Sequence, residues 1–161
     1  MQVTWNVLPA TLADFEALPR SRPEEICAAF LGALYLYTRD PAAGIAAMNI
    51  LRGPRPMTPY DAQFLRDRLR GKDYLPLAYW EGAAPQNSYT PAVPYTLRVL
   101  PDPRPQDIEE GYLRVFLQTA GADAPRPIKL RHKPSTDEWF LWEYSSVLSG
   151  IRIPAALDPW A

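Results

Sequence analysis

Residues 21–39 read SRPEEICAAFLGALYLYTR, and this stretch decides the fold class. Ser21-Arg22-Pro23-Glu24 has the spacing of a capping box with proline in the first turn, so a helix is predicted from there to about Arg39. Ile26, Cys27, Phe30, Leu31, Leu34, Tyr35 and Leu36 surround its axis and leave no polar stripe. A helix that is apolar on every side belongs in the middle of a domain. Its most apolar part, residues 26–37, is too short to cross a bilayer core of about 30 Å.

Further helices flank this one. Asp40-Pro41 caps a helix ending at Gly53, within which Gly44 permits close packing. Thr58-Pro59-Tyr60-Asp61 is a second capping box, opening a helix that stops at Gly71, and a shorter helix is expected from Thr11 to about Leu18. Residues 71–94 then carry Tyr74, Pro76, Tyr79, Trp80, Pro85, Tyr89, Pro91 and Pro94. A connection of that length is either a functional loop or a tightly packed one. Beyond it, alternation predicts strands at 95–100, 112–118, 127–133 and 139–144, the last two joined by a hairpin over Pro134-Ser135-Thr136-Asp137.

Helices first and strands later predict one α+β domain over residues 1–161. N-terminal helices, about 11–71, should pack on a curved antiparallel sheet of about four strands at 95–144. The tail, 145–161, is expected to fold back through Ile151, Ile153, Leu157 and Trp160.

Composition narrows the function classes. The 161 residues are 47% hydrophobic and 22% charged, with net charge −1. That gives no global attraction to nucleic acid or anionic lipid, so neither nucleic acid nor membrane is an expected partner. Nineteen prolines and eight glycines stay below the proportion that marks disorder, and read as stiff loops and helix starts. The single cysteine, Cys27, forbids an internal disulfide and suits a reducing compartment. Residues 1–10 have neither a basic start nor an apolar core, so no secretory leader is expected and the cytoplasm is the default location.

One histidine and one cysteine cannot build a zinc site of the usual kinds. No glycine-rich phosphate loop, EF-hand spacing or nucleophile elbow occurs, and no cofactor is expected. Any serine or cysteine mechanism would have to use His132, which alternation places on the apolar side of its strand just before a turn. It is either a general base at a cavity mouth or a half-buried imidazole at a strand end.

Three groups of residues carry candidate binding chemistry. On the helix at 58–71, Tyr60, Phe64, Leu65 and Leu69 share one arc with Asp61 and Arg68. Arg68 is either a buried anchor for the loop 71–94 or a clamp for an anion. A basic run from Arg52 to Lys72, including Arg55, Arg66 and Arg70, reads as a solvated face. On the sheet, Leu97, Val99, Leu113, Val115, Leu117, Ile128 and Leu130 should face the helices. Arg98, Arg114, Lys129, Arg131, Tyr112 and Phe116 would then stand opposite, with either Phe140 and Trp142 or Trp139 and Leu141. Interleaved arginine and aromatic side chains suit bases or a partner protein, or a homodimer through the sheet that covers them. The loop 71–94 offers Tyr79, Trp80 and Tyr89 for recognition, or as plugs sealing the core.

The wording at Gly53-Pro54-Arg55-Pro56, Pro59-Tyr60, Gln63-Phe64-Leu65-Arg66-Asp67-Arg68-Leu69, Tyr79, Glu81-Gly82-Ala83, Asn87, Tyr89-Thr90-Pro91, Pro94-Tyr95, Gly121-Ala122-Asp123, Pro125-Arg126-Pro127 and Trp139-Phe140-Leu141-Trp142-Glu143 resembles a family of short bacterial proteins of the Firmicutes type. That family is a domain of unknown function, and the resemblance implies a bacterial protein but no chemistry. The first twenty residues match it poorly. The closing strands also resemble the ends of NTF2-like or cystatin-like domains, which implies a curved sheet wrapped around helices, often with a pocket.

The leading expectation is a non-enzymatic domain that binds a small-molecule ligand or a protein. Its site should lie between the helix at 58–71 and the loop 71–94, with Arg55, Arg68, Tyr79, Trp80 and Tyr89 as binding residues. The alternative is a small hydrolase or isomerase using His132 or a buried carboxylate such as Glu143. A second alternative is single-stranded nucleic-acid binding on the outer sheet face.

Overall fold

A computed structural model describes all residues, 1–161. The central helix forms where the sequence predicts it, as α2 (Pro23–Arg39), and residues 26–34 of it are buried on every side. Its start differs from the expected capping box. Arg22 is the N-cap and makes no capping hydrogen bond, while Pro23 takes the first helical position. The guanidinium of Arg22 instead pairs with Glu24 and Glu25 of the first turn. Both glutamates are buried, so they need a countercharge more than the backbone needs Ser21.

Around α2 lie α1 (Leu12–Ala17), α3 (Pro41–Arg52) and α4 (Pro59–Leu69). Thr11 and Thr58 form full capping boxes with Asp14 and Asp61, and Asp40 caps α3. Gly44 makes the close approach of α3 to α2 possible. A Cβ there would sit 2.4 Å from the Cα of Tyr37.

The sheet has five strands, one more than expected: β1 (Gln2–Trp5), β2 (Tyr95–Pro101), β3 (Tyr112–Leu117), β4 (Arg126–Lys133) and β5 (Glu138–Glu143). They follow one another in spatial order, all antiparallel, and curl into a half-barrel around the helices. β1 is short and buries only Val3, too little alternation to read from sequence, and its partner lies over ninety residues away. The inner face is a row of cross-strand pairs: Val3 with Leu97, Val99 with Leu117, Val115 with Ile128 and Leu130 with Leu141. All eight side chains are buried against the helical layer. The free edge of β5 is tied off where the Trp139 N–H donates to the Arg20 carbonyl at 2.8 Å and Arg20 pairs with Glu138.

Residues 71–94 fold into two short 3₁₀ turns, Leu75–Leu77 and Pro85–Asn87, and pack tightly. Tyr79, Trp80 and Tyr89 are all buried there. The Tyr79 hydroxyl donates to the Val147 carbonyl and that of Tyr89 to the Arg152 carbonyl, each at 2.6 Å. Trp80 rests against Trp5 and Tyr95, and Tyr89 stacks on Tyr74. The segment closes one end of the core.

The tail departs from expectation. Val147 and Leu148 are buried and Ile151 packs on the core, but Ile153, Leu157 and Trp160 are exposed, Trp160 at 92%. No helix is long and apolar enough to cross a membrane.

Candidate functional site

The turn Gly53-Pro54-Arg55-Pro56 joins α3 to α4 and lies against β5. Gly53 has φ of +60°, and a Cβ there would meet the Phe140 ring at 2.5 Å, so only glycine allows this approach. Four hydrogen bonds fix the turn. Arg52, only 6% exposed, donates from Nε to the Arg55 carbonyl at 2.9 Å and from Nη2 to Asp61 at 3.2 Å. Asp61 in turn accepts from the Thr58 N–H, and Asn49 accepts from the Met57 N–H at 2.8 Å.

So fixed, Arg55 lies over the Trp142 ring, its guanidinium carbon 3.6 Å from the ring centroid, and donates from Nη2 to the Trp142 carbonyl. Its buried Nε finds no acceptor. Burial, and then the neighbouring Arg52, hold its pKa below the ordinary guanidinium value, which Asp61 offsets only in part.

Trp142 continues the array across the outer sheet face. It meets Tyr112 edge-on at 5.2 Å, and Lys129 and Arg131 sit over the Tyr112 ring at 4.8 and 4.4 Å. Phe140 and Trp142, and not Trp139 and Leu141, therefore take the outer face: Leu141 is buried opposite Leu130. Most outer cations are neutralised locally. Arg114 is held by Asp102 at 2.9 and 3.1 Å, Lys129 by Glu109 at 2.9 Å and Arg98 by Glu81 at 3.2 Å. Arg55, Arg131 and Lys133 have no carboxylate within 4.0 Å. Glu109 and Glu138, which act on Arg131 and Lys133 from further away, are engaged by Lys129 and Arg20.

These three cations border one cleft of about 450 Å³. Its walls are Pro54, Pro134, Phe140 and Trp142, and no acidic residue lines it. A smaller hollow of about 240 Å³ lies across the Arg55–Trp142 stack and contains Tyr60, Asp61, Phe64 and Glu143. The volume of the larger cleft suits a small molecule, and a concave apolar wall with a few convergent charges is the usual form of such sites.

Of the five residues singled out from sequence, Arg55 alone reaches this cleft. Arg68 is exposed and lies over Phe64 at 5.1 Å, not a buried anchor. The reason is that α4 is peripheral: it buries only Leu65 and Leu69, and Tyr60 is 78% exposed. Tyr79 and Trp80 border a separate hollow of about 210 Å³, with Glu81 and Arg98 at its rim, and Tyr89 is wholly buried. Arg131, Phe140 and Trp142 came from the sheet-face reading. Their union with Arg55 was missed because 87 residues separate Arg55 from Trp142. Period-two alternation through Phe140, Leu141 and Trp142 was the available signal for the strand's outer face.

Other chemically capable groups are occupied elsewhere. His132 lies on the cleft wall, half-buried, with Nε2 2.9 Å from Asp137 Oδ1 and its ring tilted against Trp139. Glu143 is exposed and not the buried carboxylate expected, because a register shift in the β4–β5 pairing sets it opposite Lys129 on the outer face. Cys27 is fully buried, and burial pushes its thiol pKa far up. No three His, Cys, Asp or Glu side chains gather to hold a metal ion.

Among known proteins, one family model matches residues 7–155, under the description Domain of unknown function (DUF6935). No curated protein and no solved structure matches the chain.

Proposed function

Because the chain belongs to that family of unknown function, we propose its role from the site: a non-enzymatic binding module that captures a negatively charged ligand in the cleft beside Arg55. One observation carries the reading. Arg55 is a partly buried guanidinium, stacked on Trp142, with an unpartnered Nε and a lowered pKa, beside two further cations that have no carboxylate. Desolvating a cation without a counterion is unfavourable, and an arriving anion relieves that cost.

The same geometry supports binding over catalysis. His132 borders the cleft, but its Nε2 is turned to Asp137, and no carboxylate lines the walls to act as a base. With its one thiol buried and unpaired, the protein suits a reducing cytoplasm, where we place its work.

Thermal unfolding with citrate, benzoate, adenosine monophosphate and 2-naphthyl phosphate tests the reading. A ligand at a hundred times its Kd adds about 2.7 kcal/mol, which raises Tm by about 5 °C or more for a chain of this size. At least one of these anions should do so in the natural protein and not in the Arg131→Gln, Lys133→Gln double variant. Equal responses in both proteins, or none in either, would overturn the site.

A further inference from the structure

We infer that the cleft takes an aryl anion: a flat apolar ring bearing one phosphate or carboxylate group. This rests on the anion-capturing reading above and adds the body of the ligand to its charge.

The walls supply the first argument. Pro54, Pro134, Phe140 and Trp142 offer faces with almost no hydrogen-bonding capacity. A bare inorganic anion would satisfy the rim and leave those faces in water. A ring that buries about 60 Å² of apolar surface there gains about tenfold in affinity at the usual hydrophobic coefficient. Proline and aromatic walls also hold a ring at little entropic cost, since they are already rigid.

The distribution of charge supplies the second. A nucleic-acid strand needs a track of free cations for successive phosphates, with aromatic platforms between them. The outer sheet face has the aromatic part, but Glu81, Asp102 and Glu109 already hold Arg98, Arg114 and Lys129. On this face and beside it, the cations left without a carboxylate within 4.0 Å are Arg55, Arg131 and Lys133, around a single cleft. That is enough for one anionic group and short of a track.

The third is the shape of the charge. Arg55 is held over the Trp142 ring, tied to the Trp142 carbonyl, and presents a planar cation. Planar guanidinium favours planar or forked partners, which aryl phosphates and aryl carboxylates both are.

Calorimetric titration with 2-naphthyl phosphate, inorganic phosphate, 2-naphthol and an oligothymidylate separates these terms. The expected result is one site for 2-naphthyl phosphate, at least about tenfold tighter than either fragment, and weakened about tenfold or more by Arg131→Gln with Lys133→Gln. Circular dichroism of that surface variant checks that it remains folded. Inorganic phosphate binding as well as 2-naphthyl phosphate would overturn the aryl inference and leave the anion site standing. Oligothymidylate binding that falls steeply with salt would also overturn it, in favour of a strand. No binding by any anionic probe to the folded natural protein would overturn both.

Discussion

Arg52 and Arg55, three positions apart, do different work. Arg52 is buried and each of its nitrogens donates: Nε to the Arg55 carbonyl, Nη2 to Asp61 and, at the limit of hydrogen-bonding distance, Nη1 to the Tyr144 hydroxyl. Arg52→Ala should therefore destabilise the fold by about 3 kcal/mol, because Asp61 loses its partner in a mostly buried setting. Urea unfolding would measure this, and a loss under 1 kcal/mol would show that the Arg52 ties carry no stability. Arg55 is unsaturated, so Arg55→Met should cost only about 1 kcal/mol of folding stability, the worth of one cation–π stack. Its main effect should appear in anion affinity, measured by the same titration. The arginine was readable in the sequence as part of Gly53-Pro54-Arg55-Pro56, where two prolines stiffen a turn. The indole beneath it was not, since nothing local says where a loop's side chain will land. Arg68 shows the converse: it shares a helical arc with Leu65 and Leu69, yet α4 buries only those two, a narrower stripe than the arc allows.

At the scale of elements, α2 and α3 cross where Gly44 lets backbones touch. Gly44→Val should cost about 3 kcal/mol, because its side chain must displace the Tyr37 backbone and not a flexible tip. Thermal melting of that variant checks it, and an unchanged Tm would show that the helices part easily. The ion pair Asp102–Arg114 locks the turn after β2 onto β3. Arg114 holds the Asp102 carboxyl below its ordinary value of 3.8. A folded pKa below the unfolded one stabilises the protein above the unfolded value, and that stability is lost as pH falls below it. Asp102→Asn should therefore flatten the acid limb of stability below about pH 4 and leave the shape of the neutral range unchanged. Unfolding midpoints from pH 2 to 7 test this, and an identical acid limb in both proteins would remove the pair from the account. Four strands and four helices were legible because their periodicities are long or their caps specific. β1 was not, because four residues with a single buried side chain look like any N-terminus.

For the whole molecule, the curled sheet wraps α2, the aromatic segment 71–94 closes one end, and the α3–α4 turn meets β5 to form the cleft. Removing residues 1–5 should strip the edge of β2, uncover Leu97 and Trp80, and lower Tm by several degrees. A scanning calorimeter would record it, and an unchanged Tm would make β1 an ornament of the sheet. The α+β class followed from helical patterns in the first half of the chain and alternating strands in the second. The position of the cleft depended on contacts between distant segments, and no local pattern encodes those. The five tryptophans, Trp5, Trp80, Trp139, Trp142 and Trp160, give one direct way to locate the ligand. Their indole N–H signals in a ¹⁵N-correlated spectrum, with Trp142 assigned by Trp142→Phe, should be followed while 2-naphthyl phosphate is added. The Trp142 signal should shift and saturate, with those of Trp5, Trp80 and Trp160 left in place. A shift at Trp80 or Trp160 while Trp142 stands still would contradict the site.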